Sequence, residues 1–203
     1  RAQECGDIFK LVIDNAQDMK EHMRDSSSVT YLQGKLLIEN AFATYLMELA
    51  RRKARADGGV KVEALPEFLQ AVGKLTDIGK IDESFPMTEL NVALVLLARA
   101  RNAEDKNTKG DMYHLANAKL SAVHAKNGLG VVAALLGKAE VLANRGSYPA
   151  ARDVLIRILD MHPHCGPDVR VAIGYCCFKL GEFERARLAF RRALQLTDFT
   201  NVE

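Results

Sequence analysis

The chain of 203 residues contains no tryptophan, and aromatic residues make up only 6% of it. Its four cysteines show no paired spacing, which is typical of a reduced, intracellular protein rather than a disulfide scaffold. Positive and negative charges nearly balance at a net +2, so we expect no broad nucleic-acid surface and no sequence-specific nucleic-acid partner. No apolar run approaches the ~20 residues of a membrane span, and no signal-peptide pattern opens the chain. The sequence therefore predicts no membrane partner.

Sequence patterns for catalysis are also missing. Gly58-Gly59 and Gly128-Leu129-Gly130 lack the spacing and the Lys-Ser/Thr pair of a phosphate-binding loop. Carboxylates are scattered along the chain, and no Ser/His/Asp or Cys/His set can be placed together. We therefore predict a protein without enzymatic activity or a cofactor.

The turn His162-Pro163-His164-Cys165 is the one candidate for a metal site. Zinc needs three or four ligands in a tetrahedral array, and this turn crowds two histidines and one cysteine with no second cluster nearby. Cys176 and Cys177 are adjacent on a predicted helix and point about 100° apart. The sequence therefore favours buried thiols and a polar turn, and we predict no metal.

The segment Asp168 to Leu196 shows the organisation most clearly. It predicts two antiparallel helices joined by a tight turn at Gly181. Gly174 and Ala186 suit a place where two helix axes cross closely, and Phe190 supplies bulk beside them.

This pattern recurs along the chain. Residues of similar size return 35 positions upstream and again 70 positions upstream, and a further set follows at a wider step of 45. The sets are Ala186, Phe190 and Ala193; Ala151, Leu155 and Ile158; Ala116, Leu120 and Val123; and Ala71, Leu75 and Ile78. The pattern matches the tetratricopeptide repeat, whose usual period is about 34 residues. It predicts an all-α solenoid of antiparallel helical hairpins.

About nine helices and no strand are predicted. They lie near 7–24, 29–55, 66–79, 87–103, 111–126, 130–145, 148–161, 167–180 and 183–197. The segment Glu104 to Gly110 is interpreted as a polar loop, inserted beyond what a repeat turn needs. We interpret 1–203 as a single solenoid, with irregular repeats at 1–110 and better-matched ones at 111–203. Because it starts with Arg1 rather than Met, we interpret the chain as a fragment of a longer protein.

Three runs carry a more specific resemblance than the repeat alone. They are A-L-L-G-K-A at 134–139, P-x-V-R-x3-G-Y-C at 167–176 and F-K-L-x3-E-R-A-R-L-A-F at 178–190. Here the chain resembles the tetratricopeptide scaffold subunit of the RNA polymerase II-associated factor (Paf) complex. The resemblance implies a nuclear scaffold that binds Paf-complex subunits and polymerase-associated factors, supports transcription elongation and connects the complex to histone modification.

Two alternatives stay open at this stage. One is an unrelated tetratricopeptide adaptor or co-chaperone, although the candidate groove positions lack the Lys/Asn set that holds a carboxyl terminus, with only Asn144 available. The other is a docking module of a larger enzyme whose chemistry lies elsewhere.

The candidate binding site is the groove lined by the first helix of each hairpin. Its predicted residues are Asp168, Val171, Tyr175, Phe178 and Lys179; Leu136, Glu140 and Asn144; and, further upstream, Asn91, Val95 and Arg99. Tyr175 and Phe178 with a nearby cation suit an anchor for an apolar peptide. The alternative is that Phe178 packs under a following hairpin.

The basic run Arg51-Arg52-Lys53-Ala54-Arg55 is a further candidate. It suits an address signal or a phosphate contact, but such a run is more often a solvated helix end.

Overall fold

The computed structural model describes residues 29–58, 60–126 and 130–200. Over these ranges the chain forms eight α-helices, one short 3-10 turn and no strand. The helices are α1 (Val29–Ala56), α2 (Pro66–Ile81), α3 (Pro86–Asn102), α4 (Lys106–Ala125), α5 (Val131–Asn144), α6 (Tyr148–Met161), α7 (Pro167–Lys179) and α8 (Phe183–Thr200). The helix predicted at 7–24 lies outside the described residues.

The chain divides into two compact units, Arg1–Lys119 and Leu120–Glu203, with the boundary inside α4. The interpretation of the whole chain as one solenoid domain stays a prediction.

In the first unit, α1 and α2 form an antiparallel hairpin. Lys53 near the end of α1 pairs with Glu67 at the start of α2, and Lys74 pairs with Glu39 at 2.9 Å. Both helices contact α3. The shared core contains Leu36, Phe42, Leu46, Met47, Phe68, Leu75 and Ile78. Apolar side chains at helical spacing on each helix therefore meet along one buried seam.

A buried polar network connects α1 to α3. The Asn91 side-chain amide donates to the Asn40 side-chain oxygen at 3.0 Å, and the Asn40 amide donates to Thr88 Oγ1 at 3.0 Å. The Thr44 hydroxyl donates to Asn91 Oδ1 at 3.0 Å. Asn40 and Asn91 are almost completely buried, so breaking these bonds would leave amides unsatisfied. The network thereby fixes the axial register of the two helices.

The beginning of α4 corrects the predicted loop at Glu104 to Gly110. The helix starts at Lys106 because the Asp105 carboxylate accepts hydrogen bonds from Thr108 N at 2.7 Å and Thr108 Oγ1 at 2.6 Å. These bonds satisfy a backbone donor that the first helical turn leaves free. The prediction of a long polar loop here was wrong, and Gly110 lies inside the helix.

In the second unit, two repeat turns have the same geometry. Gly146 and Gly181 both have φ of +77°, a backbone conformation that side chains rarely tolerate. The residue after each glycine donates its backbone N–H to a carbonyl five positions earlier, at 3.0 Å for Ser147 and 2.9 Å for Glu182. This pair of helix ends, 35 positions apart, connects α5 to α6 and α7 to α8.

The recurring positions form the interior, as the repeat pattern predicted. All but one of these residues are buried to 4% exposure or less: Ala71, Leu75, Ile78, Ala116, Leu120, Val123, Ala151, Leu155, Ile158, Ala186 and Ala193. The exception, Phe190, is partly buried. A β-carbon added at Gly174 would lie 2.6 Å from Cε1 of Phe190, so the small residue is required where α7 meets α8. The predicted repeat register is confirmed.

Candidate functional site

The outward side of α7 exposes two aromatic residues. Tyr175 is 47% exposed and Phe178 is 53% exposed. Gly174 and Cys177 occupy the buried side of the helix. Tyr175 and Phe178 each follow one of these residues directly and are therefore rotated by about 100° around the helix axis. The positions that build the core therefore direct the two aromatic side chains to the surface.

The ring of Tyr175 has two defined neighbours. The ring of Tyr148, at the start of α6, lies edge-on with a centroid distance of 6.1 Å. The ammonium group of Lys179, one helical turn further along α7, lies 5.5 Å from the Tyr175 centroid. Both contacts are attractive, because the ring carries a negative face and a positive edge. Tyr175 is thereby held in place before any partner arrives.

A second aromatic pair lies at the end of α7. Phe178 and Phe183 are 5.7 Å apart between ring centroids, and Phe183 is 63% exposed. We refer to Tyr148, Tyr175, Phe178, Phe183 and Lys179 as the aromatic surface. The sequence analysis predicted neither the exposed Phe183 nor the partly buried Tyr148 as part of this surface. Tyr148 and Phe183 occupy the same position of the 35-residue repeat. That pattern predicts that an aromatic residue recurs, but it does not predict whether the side chain is exposed.

An ion pair connects the helices that carry the outer rings. Glu182, in the turn before Phe183, accepts from Arg152 of α6 at 2.8 Å and from Arg185 of α8 at 3.1 Å. Hydrogen bonds from Arg185 and Arg152 hold the pKa of the Glu182 carboxyl below its ordinary value. Because Arg152 lies one turn after Tyr148, this contact positions both ends of the aromatic surface.

The other predicted groove positions in the second unit are exposed or partly exposed. Leu136 is 37% exposed and Val171 is 46% exposed, while Asp168 is an exposed residue in the first turn of α7. Glu140 is partly buried, and the exposed Asn144 donates its side-chain amide to the Glu140 carbonyl at 3.0 Å. These positions are accessible on α5 and α7, but their role in binding stays a prediction.

The upstream predictions for Asn91 and Val95 need correction, while that for Arg99 stays a prediction. Asn91 is 1% exposed within the α1–α3 polar network, and Val95 is 6% exposed within the core of the first unit. Neither side chain can line an open groove in this structure. Arg99 is partly buried.

The comparisons with known proteins agree with these repeats. The tetratricopeptide repeat family model matches residues 136–199. The chain is 32% identical over 198 residues to the protein CTR9 homolog of Arabidopsis thaliana, covering 96% of this chain and 16% of that protein. This chain is a tetratricopeptide-repeat protein similar to CTR9. It is also 32% identical over 95 residues to the RNA polymerase-associated protein CTR9 of Caenorhabditis elegans, covering 47% and 8% of the two chains.

The resemblance found in the sequence is confirmed by these relatives. The tetratricopeptide chain spans only 16% of the plant relative and 8% of the nematode match.

Solved structures confirm the all-α tetratricopeptide fold. TTC0263, a thermophilic TPR protein from Thermus thermophilus, aligns with a TM-score of 0.58 at 15% identity over 93% of this chain and 91% of that one. The MamA RS-1 ArsTM double mutant aligns with a TM-score of 0.53 at 14% identity over 98% and 97%. At these identities the likeness concerns the fold alone.

The cysteines of the tetratricopeptide chain within the described ranges serve packing and turns. Cys176 and Cys177 are buried, and burial raises the pKa of the Cys176 thiol. Arg170 donates to the backbone carbonyls of Cys165 at 2.9 Å and Pro163 at 2.8 Å, which ties the turn before α7 to that helix. Across 29–58, 60–126 and 130–200, no group of three His, Cys, Asp or Glu side chains is arranged to hold a metal.

The basic end of α1 is occupied by ion pairs. Arg51 and Arg52 pair with Glu48 at 4.0 and 3.1 Å, and Lys53 pairs with Glu67. These contacts suit a solvated helix end more than a phosphate site, and an address or phosphate-binding role for the run stays a prediction. None of the described helices is both long and apolar enough to cross a membrane.

Proposed function

We propose that this chain is part of a non-enzymatic scaffold subunit of the Paf complex, acting in transcription elongation on RNA polymerase II in the nucleus. The observation that carries the proposal is the 32% identity to a CTR9 homolog along 96% of the chain. The printed name of the nematode relative supports it, because that protein is RNA polymerase-associated. The proposed role includes connecting the complex to histone modification.

The aromatic surface is the proposed binding site for a segment of another Paf-complex subunit or polymerase-associated factor. Aromatic side chains are enriched among interface hot spots because they bury a large area with few rotatable bonds. Tyr175 and Phe178 are about half exposed and already held by neighbouring rings, so binding would order little further. Leu136 and Val171 supply additional apolar area on the same unit.

A scaffold rather than an enzyme is supported by the groups that the aromatic surface offers. Ring faces and one ammonium group can bind and orient a peptide, but they supply no nucleophile paired with a base. The co-chaperone alternative has little support, because the amide of Asn144 is already donated to a carbonyl within α5.

Affinity purification of the full-length protein tests both levels of the proposal. We expect polymerase-associated factors to co-purify with the wild type and with Leu69→Ala, whose side chain is 56% exposed on α2. The double variant Tyr175→Ala/Phe178→Ala should recover less of at least one factor. If the wild type brings down no such factor, the Paf assignment is wrong. Equal recovery by the double variant would contradict the aromatic surface only.

A further inference from the structure

The outward side of α8 exposes a leucine that the fold does not use. Leu188 is 55% exposed, whereas Ala186 and Ala193 on the opposite side of the same helix are 3% and 4% exposed. The helical angle of about 100° per residue places Leu188 on the side facing away from α7. Exposing an apolar side chain there contributes nothing to the core.

Two arginines lie next to this leucine, three and four positions further along α8. Arg191 and Arg192 are exposed, and neither forms an ion pair with any carboxylate among the described side chains, which on this helix end at Thr197. Arg192 donates only to the neutral side chain of Gln195, at 3.2 Å. By contrast, Arg185 and Arg187 pair with Glu182 and Glu184 at 3.1 and 2.7 Å. The helix thus satisfies its first two arginines and leaves the next two available.

Helix α8 carries more arginines than acidic residues, and this excess of positive charge does not help the helix to fold. Between Phe183 and Thr200 the helix contains four arginines, one glutamate and one aspartate, a net charge of +2 that equals the net charge of the whole chain. Arg187 and Arg191 are four residues apart, a spacing at which like charges on a helix repel each other, and Glu184 offsets only the charge of Arg187. A partner with negative charge would remove this repulsion.

We propose that Leu188, Arg191 and Arg192 form a docking site for an acidic protein segment that also carries an apolar side chain. Arginine presents a planar fork that matches a carboxylate with two parallel hydrogen bonds. The apolar side chain of the partner would cover Leu188, which lies beside the two guanidinium groups. A nucleic-acid backbone would satisfy the arginines but would place phosphates against Leu188, so a protein segment fits the combination better. This site lies on a different helix from Tyr175 and does not require the Paf assignment.

Site-specific crosslinking tests the site in the full-length protein with its bound partners. A photo-crosslinking benzoylphenylalanine replaces Leu188 in one preparation and Leu69, a leucine of equal exposure on α2, in the control. We expect position 188 to crosslink to a protein segment rich in Asp and Glu that includes an apolar residue. The double charge reversal Arg191→Glu/Arg192→Glu should lower the yield by about fivefold or more, as should raised salt.

A reciprocal exchange of charge completes the test. Replacing the acidic residues of the crosslinked segment with arginine should restore crosslinking to the Arg191→Glu/Arg192→Glu protein. Crosslinking to nucleic acid, to a basic segment or to nothing at position 188 would overturn the proposal, as would a yield unaffected by charge reversal. Since both arginines are exposed, thermal melting of the reversed variant should match the wild type. Recovery of polymerase-associated factors is scored separately, so failure here leaves the proposed function intact.

Discussion

The ring of Phe190 lies directly against the α-carbon of Gly174, where a β-carbon would come within 2.6 Å of Cε1. This contact sets how closely α8 approaches α7. We predict that Gly174→Ala destabilises the chain by about 1–3 kcal/mol, because the ring must shift to relieve the overlap. Gly73→Ala is the matched control, since no atom lies within 4 Å of its added β-carbon. In urea unfolding, equal stability of the two variants would show that the close approach is unimportant.

A second prediction concerns Tyr175. Truncation to alanine in Tyr175→Ala should weaken binding of the partner subunit at least tenfold, which corresponds to about 1.4 kcal/mol. It should cost little stability, because 47% of the side chain is exposed. Titration calorimetry with the partner and thermal melting of the free protein measure the two effects, with Leu69→Ala as the control. An unchanged affinity with a large fall in melting temperature would assign Tyr175 to packing instead.

The repeat register supports a third prediction. Ala186→Arg places an unpaired charge at a site that is 3% exposed and should cost several kcal/mol, on the order of 3–5. Ala118→Arg makes the same substitution at an exposed position of α4 and should be nearly neutral. Thermal or urea unfolding of both variants provides the comparison. A similar loss in both would mean that burial at the recurring alanine does not matter.

Acid should weaken the contact made by Glu182. Hydrogen bonds from Arg185 and Arg152 lower the pKa of this carboxyl in the folded protein. A lowered pKa stabilises the fold above the ordinary value of 4.5, and the stabilisation is lost as pH falls through the folded pKa. The difference in the free energy of unfolding between wild type and Glu182→Gln should therefore be largest near neutral pH. It should shrink as the pH falls below 4.5. A difference that stays constant on acidification would contradict the assignment.

The Asp105 cap can be tested in the same way. Asp105→Ala removes the acceptor for Thr108 N and Thr108 Oγ1 and should cost about 1 kcal/mol. Amide hydrogen exchange should become faster in the first turn of α4. Asp111→Ala, at an exposed position of the same helix, should leave that turn protected. Unchanged exchange in the Asp105 variant would show that the cap does not stabilise this turn, and fast exchange already in the wild type would favour the predicted loop at Glu104 to Gly110.

Local features explain why much of the fold could be predicted from the sequence. The glycine turns at Gly146 and Gly181 and the recurring small and apolar residues are read within one helical hairpin, and their register is confirmed. The start of α4 was missed because the polar residues before Gly110 also suit a loop. The only sign of the helix start in this segment is Asp105 followed three residues later by Thr108, whose backbone N–H donates to the aspartate.

Tertiary contacts explain what the sequence could not show. Asn91 looked like a groove residue because a polar side chain on a first helix suits a surface. Its partner Asn40 lies 51 positions away, and no local pattern connects the two. The 63% exposure of Phe183 was likewise hidden, because Tyr113 shares its repeat position and is buried to 4%, while Tyr148 at the same position is partly buried.

The Asn40–Asn91 network also limits how unit 1 could be redesigned. Leucines of similar size at both positions would gain apolar burial, and buried polar groups replaced in this way often leave a protein equally or more stable. They would also permit α1 to slide along α3 by one helical turn, about 5.4 Å, with the new side chains still in contact. The paired amides disfavour that slip, because it would break the hydrogen bond between two side chains that are almost completely buried. The two asparagines thus make the first unit less stable than leucines could, but they hold α1 and α3 in a single alignment.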